Sequence, residues 1–168
     1  MTAFVALGSN VGDSVATVLA AMERLELLSA TRLRRSSLWR STPVDCPPGS
    51  PGFINAVVAF EPLPGETPES LLDKLQVLET ELGRRPKQVR NEPRPLDLDL
   101  IAFGPEQRCS ARLTLPHPRA HRRRFVLAPL AEIAPDTVLP GRRETVRELL
   151  ACLQTAERVE RFDPRALR

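Results

Sequence analysis

Two aspartates one residue apart, preceded by a run of arginines, are the most chemically suggestive feature of this 168-residue chain. They lie in RPLDLDLIAFG, residues 94–104. Read at period two, Leu96, Leu98, Leu100 and Ala102 share one strand face, and Asp97 and Asp99 share the other. Aspartate is depleted in strands and neighbouring carboxylates repel, so the pair needs a reason. Same-face carboxylates suit a hard divalent cation, and Mg²⁺ characteristically takes one or two of them together with substrate phosphates. Two such ions held about 4 Å apart can clamp a phosphoryl group in transfer. Arg84, Arg85, Lys87, Arg90 and Arg94 fill the loop RRPKQVRNEPRP just before the strand, supplying cations for phosphate oxygens. Taken separately, the aspartates also fit a solvated edge strand and the arginines a solvated loop. Taken together, they point to phosphoryl transfer.

Other candidates cluster less tightly. LPHPRAH places His117 and His121 four apart, but Pro118 breaks the helix a zinc pair would want, and a third ligand is lacking. A phosphate or ribose contact suits His117 better, with Arg112, Thr114 and Arg119 as neighbours, while His121 reads as structural. Phe53 and Asn55 share a strand face, where a flat heterocycle could stack on the ring while the amide reads its edge. A core Phe53 and an Asn55 that satisfies loop backbone fit equally well. Phe125 reads as core. GSNVGD lacks the G-K-[ST] ending and spacing of a Walker A loop, so any nucleotide is held another way.

The elements that must position these residues are legible from periodicity and punctuation. Phe4 to Ser9 reads as a strand. Asp13 or Ser14 caps a helix with Val15, Val18, Leu19, Met22 and Leu25 on its apolar stripe. Leu33 to Trp39 is expected as a second strand, STPVDCPPGSPG as a stiff loop, and FINAVVAF as a third strand. In that third strand Ile54, Ala56, Val58 and Phe60 share one face. TPESLLDKLQVLETELG is a helix capped by Thr67, with Pro68 in its first turn, Leu71, Leu75, Leu78 and Leu82 along its stripe, and Gly83 as its stop. Leu96 to Phe103 is the fourth strand.

The order β-α-β-β-α-β is the ferredoxin-like arrangement, an α+β fold in which both helices cover one face of an antiparallel sheet. The other face is then left for a site or a lid. Further along, HRRRFVLAPLAEIA is a helix containing or ending at Pro129, and Thr145 with Glu148 forms a capping box for a short helix to about Leu153. RVERF adds an edge strand. No repeat or linker divides the chain, so residues 1–168 are expected to be a single domain.

Composition sets the outer bounds. At 42% hydrophobic and 27% charged, the chain reads as an ordinary globular protein, with no run near the about 18 apolar residues of a membrane span. MTAFVALGSN lacks the basic segment of a signal peptide. Cys46, Cys109 and Cys152 are odd in number and far apart, so reduced thiols and a cytoplasmic setting are expected, and neither a disulfide framework nor a zinc site. Lysine occurs only at Lys74 and Lys87, the other basic residues being arginines. Biased codon usage would also produce that excess, so only local clusters carry weight.

Several segments together resemble one family. They are A-L-G-S-N, S-T-P-V followed by F-I-N-A-V, G-R and P-R-P-L-D-L-D-L, then L-T-L-P-H-P with R-R-F-V-L-A-P-L-A-E-I-A-P. From about Ala3 to Pro140 the chain is similar to the 6-hydroxymethyl-7,8-dihydropterin pyrophosphokinases of folate biosynthesis. The resemblance implies the ferredoxin-like core with added C-terminal helices and edge strands. It also implies pyrophosphoryl transfer from ATP to the pterin hydroxymethyl oxygen, releasing AMP.

By the same resemblance, Asp97 and Asp99 hold two Mg²⁺ ions, and Arg84 and Arg94 stabilise developing charge. Gln76, Leu100, Arg112, Thr114, His117 and Arg123 match the ATP contacts. Thr42, Pro43, Val44, Phe53, Asn55 and Phe125 match the pterin pocket, with the two phenylalanines sandwiching the ring. Glu79 matches the family pattern without a role that the residues supply. Pro86, Asn91-Glu92 and the segment DCPPGS depart from the pattern, which bears on loop closure rather than on the chemistry.

The partners expected are thus ATP and the pterin, with no nucleic acid and no membrane, for a monomeric enzyme. An RNA-binding module on the same kind of sheet lacks here the RNP1 pattern and any tyrosine. A phosphohydrolase using the same D-x-D is the remaining alternative.

Overall fold

The computed structural model describes residues 1–168 except 44, 45, 87, 90, 91, 92 and 168. Its first half follows the expected order: β1 (Ala3–Ser9), α1 (Ser14–Glu26), β2 (Arg34–Arg35), β3 (Leu38–Ser41), β4 (Phe53–Phe60), α2 (Pro68–Glu81) and β5 (Asp97–Phe103). A small hairpin of β6 (Arg108–Cys109) and β7 (Thr114–Leu115) comes next. After it come a 3₁₀ turn (Ala120–Arg122), α3 (Arg124–Ile133), α4 (Val146–Cys152) and β8 (Val159–Phe162). The main sheet runs β5-β1-β4-β3-β8 with β2 also beside β4, and its pairings are antiparallel. That is the ferredoxin-like strand order, extended at one edge by the RVERF strand.

Alternation along the strands builds two cores. Ala3, Val5 and Leu7 of β1, Ile54, Ala56, Val58 and Phe60 of β4, and Leu98 and Leu100 of β5 pack against α1 and α2. The helices contribute Val18, Met22 and Leu25, and Leu71, Leu75 and Leu78. On the other face Phe4, Ala6, Val57, Ala59 and Ile101 pack against Val126, Leu127 and Leu130 of α3 and Val146 of α4. The face left uncovered by the first two helices is therefore roofed by α3 and α4 along part of its length. The end carrying Gly8, Asn55, Asp97 and Asp99 remains open as a pocket.

The caps follow their chemistry. Thr67 accepts the Ser70 N–H at 3.1 Å while the Ser70 hydroxyl accepts the Thr67 N–H, and Pro68 needs no partner for an absent N–H. Gly83, at φ +102°, takes the left-handed turn after α2. Asp13 caps α1 through the Ala16 N–H at 3.0 Å, and Thr145 with Glu148 forms the expected box at α4.

Four details differ from the pattern in the sequence. The second strand is split into β2 and β3 at Ser36 and Ser37: the Ser36 N–H keeps its bond to the Val57 carbonyl, but the Val57 N–H is taken by the Ser36 hydroxyl rather than by a backbone carbonyl, and Ser37 donates to Glu132 of α3. A bulge between Phe4 and Val5 shifts the β1–β5 register, so Ala102 joins the second core rather than the face of Leu98 and Leu100. Leu19 is 43% exposed because the buried stripe of α1 runs through Val18, Ala21, Met22 and Leu25. Finally, α3 begins at Arg124, after the 3₁₀ turn, and carries Pro129 inside it. Among the described residues no helix is long and apolar enough to cross a membrane.

Candidate active site

A single row across the sheet sets the geometry of the site. Asp97 of β5 lies opposite Gly8 of β1, Gly8 lies opposite Asn55 of β4, and Asn55 lies opposite Trp39 of β3. Asp99 is two residues further along the same face, opposite Ala6. Because Gly8 has no side chain, the sheet surface between the carboxylate and the amide is bare. A cavity of about 290 Å³ stands over it. Phe53 and Phe125 line its apolar part, Arg94, Asp97, Asp99 and Arg123 its charged part, and Thr42 and Glu157 a further wall. Sequence alternation therefore does place both aspartates with Asn55 and Phe53, on the face opposite the α1/α2 core.

Asn55 is 2% exposed, and its amide nitrogen donates to the Ser41 hydroxyl at 2.7 Å. That bond holds the amide plane still at the base of the cavity, which is what edge recognition of a flat ring requires.

The charged end is balanced by three guanidinium groups. Arg84 Nη1 and Arg94 Nη1 each lie 3.3 Å from Asp97 Oδ1, and Arg123 Nη1 lies 3.7 Å from Asp99 Oδ2. Arg123 also stands over the Phe125 ring at 5.4 Å, so one side chain joins the charged and apolar ends of the cavity. Burial, and then the neighbouring Asp97 charge, pushes the Asp99 carboxyl above the usual carboxylate range. A bound cation favours the ionised form of such a carboxylate, so the donor set fits a hard metal. Among the described residues no three or more His, Cys, Asp or Glu side chains converge on one point. A Mg²⁺ ion at the aspartate pair therefore has to take its other ligands from substrate oxygens and water, as Mg²⁺ commonly does.

Two residues hold this end in place. Glu79, 5% exposed on α2, accepts the Leu98 N–H at 2.7 Å and pairs through its other oxygen with Arg84. Burial raises its carboxyl to about 7 against the opposing pull of those two partners. Asn10 accepts the Arg94 N–H at 2.8 Å and returns its own N–H to the Arg94 carbonyl at 3.2 Å. Its amide also donates to the Pro51 carbonyl at 3.4 Å, tying together the two loops that flank the cavity.

The nucleotide candidates divide. Arg123 lines the cavity, and His117 is half-buried beside it. Gln76, Arg112 and Thr114 lie outside it, on a neighbouring surface where Arg112 pairs with Asp73, one turn before Gln76 on α2. The Leu100 side chain is in the α1/α2 core at 3% exposure and does not reach the cavity, leaving only its backbone to face a ligand. Of the pterin set, Thr42, Phe53, Asn55 and Phe125 line the cavity, while Pro43 is exposed beside Thr42 and is not part of the lining. Val44 lies outside the described residues, as do Lys87, Arg90, Asn91 and Glu92 of the basic loop. Gly8, Arg122 and Glu157 of the lining, and Asn10 beside it, escaped the sequence reading as site residues, while Arg119, noted there only as a neighbour of His117, proves to line the cavity. Only Asn10 carried a usable signal, as a short polar residue placed just after a strand end.

His117 Nδ1 accepts the Arg119 N–H at 3.2 Å, which leaves Nε2 to carry the proton and donate. Burial first, then Arg123 and Arg119, lowers its pKa from 6.5 to about 4. Between those values the unfolded chain binds more protons than the folded one, so this group's stabilising contribution is complete above pH 6.5 and is lost as pH falls toward 4. An NMR pH titration should find the His117 midpoint near 4; a midpoint at 6.5 would contradict the placement.

Comparison with known proteins agrees with the geometry. The family profile described as 7,8-dihydro-6-hydroxymethylpterin-pyrophosphokinase matches residues 4–135. The chain is 41% identical over 160 residues to the 2-amino-4-hydroxy-6-hydroxymethyldihydropteridine pyrophosphokinase of Methylorubrum extorquens, covering 94% of this chain and 98% of that one. It is 41% identical over 150 residues to the Pseudomonas aeruginosa protein of the same name, with 89% and 90% covered. In fold it resembles the Plasmodium falciparum HPPK-DHPS crystal structure at TM-score 0.69 and 12% identity, covering 89% of this chain and 44% of that longer one. The chain belongs to the 7,8-dihydro-6-hydroxymethylpterin-pyrophosphokinase family.

Proposed function

We propose a division of labour within this site for the reaction of the family, transfer of pyrophosphate from ATP to 6-hydroxymethyl-7,8-dihydropterin, a step of folate biosynthesis. The observation that carries it is the row Asp97–Gly8–Asn55, which sets a metal-binding carboxylate and a ring-reading amide two strands apart on one bare surface. The pterin lies over Gly8 between Phe53 and Phe125, its amide edge toward Asn55 and its hydroxymethyl group toward the aspartates. That polarity follows from the sheet, where Phe53 and Asn55 stand on β4 and Asp97 and Asp99 on β5, with β1 between them.

The triphosphate enters from the charged end. Arg84 and Arg94, now directed at Asp97, exchange part of that contact for phosphate oxygens as charge develops on them. Arg123 does the same beside Asp99, and His117 donates from Nε2 to a phosphate or ribose oxygen. Gln76, Arg112 and Thr114 form a more distant surface for the rest of the nucleotide, reached when Arg112 leaves Asp73. Two Mg²⁺ ions on Asp97 and Asp99 would supply Lewis acidity to the phosphates and to the attacking hydroxyl. The hydroxymethyl oxygen gives up its proton to solvent and forms a bond to the β-phosphorus, the bond from that phosphorus to the bridging oxygen breaks, and AMP leaves with that oxygen. The cavity lining draws on residues from Ala6 to Glu157, which supports residues 1–168 acting as one unit. The exposed free thiols Cys109 and Cys152 suit a reducing cytoplasm.

Phosphorus NMR of a mixture of protein, Mg²⁺, ATP and hydroxymethyl-dihydropterin should show AMP and a pterin diphosphate. ADP with a pterin monophosphate, or inorganic phosphate alone, would refute the reaction. Asp97→Asn should lower turnover at least about a hundredfold while circular dichroism stays that of the wild type. Unaltered turnover would remove Asp97 from its assigned role.

Gly8→Ala isolates the floor of the cavity. An added Cβ meets only Asn55 Oδ1 at 3.5 Å and Phe53 Cδ1 at 3.6 Å, ordinary contacts that the fold tolerates. It would nevertheless stand between protein and ring. The pterin KM should rise about tenfold or more, equivalent to about 1.4 kcal/mol, with affinity for an ATP analogue retained. An unchanged pterin KM would place the ring elsewhere.

A further inference from the structure

The first turn of α3 begins badly by local rules. Arg122, Arg123 and Arg124 crowd the positive end of the helix dipole, the N-cap Arg123 makes no capping bond, and no acid stands in the first turn. Yet this turn carries Arg123 and Phe125, which face the cavity. The missing cap comes from far along the chain. Glu157, between α4 and β8, accepts the Arg124 N–H through Oε2 and the Phe125 N–H through Oε1, each at 3.1 Å. Arg124 in turn donates from Nη2 to the Leu153 carbonyl at 3.2 Å.

The same segment grips the opposite wall. The Thr42 N–H donates to the Arg158 carbonyl at 3.1 Å, and the Thr42 hydroxyl accepts the Arg158 N–H at 3.3 Å. Thr42 and Phe125 come from different parts of the fold, and both line the cavity together with Glu157. Residues 157 and 158 are thus a bracket between two walls. They lie beyond the 4–135 span of the family match.

We propose that Glu157 is a positioning residue for pterin recognition: its carboxylate caps α3 and fixes the Phe125 ring against the wall held by Thr42. This inference rests on the placement of the pterin between Phe53 and Phe125. A carboxylate is required because two N–H groups at a basic helix start favour a bidentate anion. An amide in its place keeps one acceptor oxygen and loses the charge.

Two variants and two kinds of readout test it. Glu157→Ala should raise the pterin KM about tenfold, with the Kd of a non-hydrolysable ATP analogue within about twofold of wild type. Glu157→Gln should fall between wild type and Glu157→Ala. Amide hydrogen exchange, which needs no pterin, should show Arg124 and Phe125 N–H groups protected in the wild type and exposed in Glu157→Ala. Loss of protection with unchanged pterin KM would overturn the proposal, as would equal losses of pterin and nucleotide affinity. Retained protection in Glu157→Ala would overturn it as well. If wild-type protein itself fails to bind pterin, the parent reading fails, and the exchange data still report whether Glu157 caps the helix.

Discussion

Repulsion between Asp97 and Asp99 is the constraint around which the rest of the molecule is arranged. Two carboxylates side by side on a strand, partly removed from water, are stable only where cations face them. Arg84, Arg94 and Arg123 supply those cations from three separate places in the chain, the end of α2, the loop before β5 and the turn before α3. Two of those places are anchored in turn: Glu79 holds Arg84, and Asn10 holds the Arg94 backbone. An enzyme that moves polyphosphate has to hold such a site ready before metal and nucleotide arrive, and guanidinium groups do so with contacts that phosphate oxygens can replace.

The sheet serves this arrangement by being unequal on its two faces. Large aliphatic side chains from three strands fill the α1/α2 face. Along the opposite face the side chains change from Ala59 and Val57, through Asn55, to Phe53, and from Phe4 and Ala6 to Gly8 on β1. One strand surface thus passes from core to binding site within a few residues; α3 and α4 roof the core part, and the first turn of α3 reaches the cavity through Phe125. The pocket needs no separate domain, because the sheet face itself is its floor.

The sequence exposed what depends on local rules. Period two in DLDL and FINAVVAF gave the faces on which Asp97, Asp99, Phe53 and Asn55 lie, and Thr67, Pro68 and Gly83 bounded α2, because alternation and capping act over one turn or less. Features that depend on a partner strand or a distant segment stayed hidden. The bulge that turns Ala102 to the second face depends on β1, and the break at Ser36 and Ser37 depends on Val57 and Glu132. Glu157 looks like an ordinary surface acid in the sequence, and Glu79 is marked by the resemblance without a role, since their partners lie 32 or 33 and 19 residues away. Leu100 shows a different limit: the resemblance marks it as a nucleotide contact without saying through which atoms, and packing puts its side chain in the core, leaving the backbone for that contact.

The central claim is that Asp97 and Asp99 gather divalent ions only together with the nucleotide, in exchange for part of their arginine contacts. Electron paramagnetic resonance of Mn²⁺ tests this directly, in wild type and in Asp97→Asn and Asp99→Asn, with and without an α,β-methylene analogue of ATP. The account predicts weak Mn²⁺ binding by protein alone, two ions per chain once the analogue is present, and loss of that gain in either variant. Equal Mn²⁺ binding by the wild type and both variants in the presence of the analogue would contradict it.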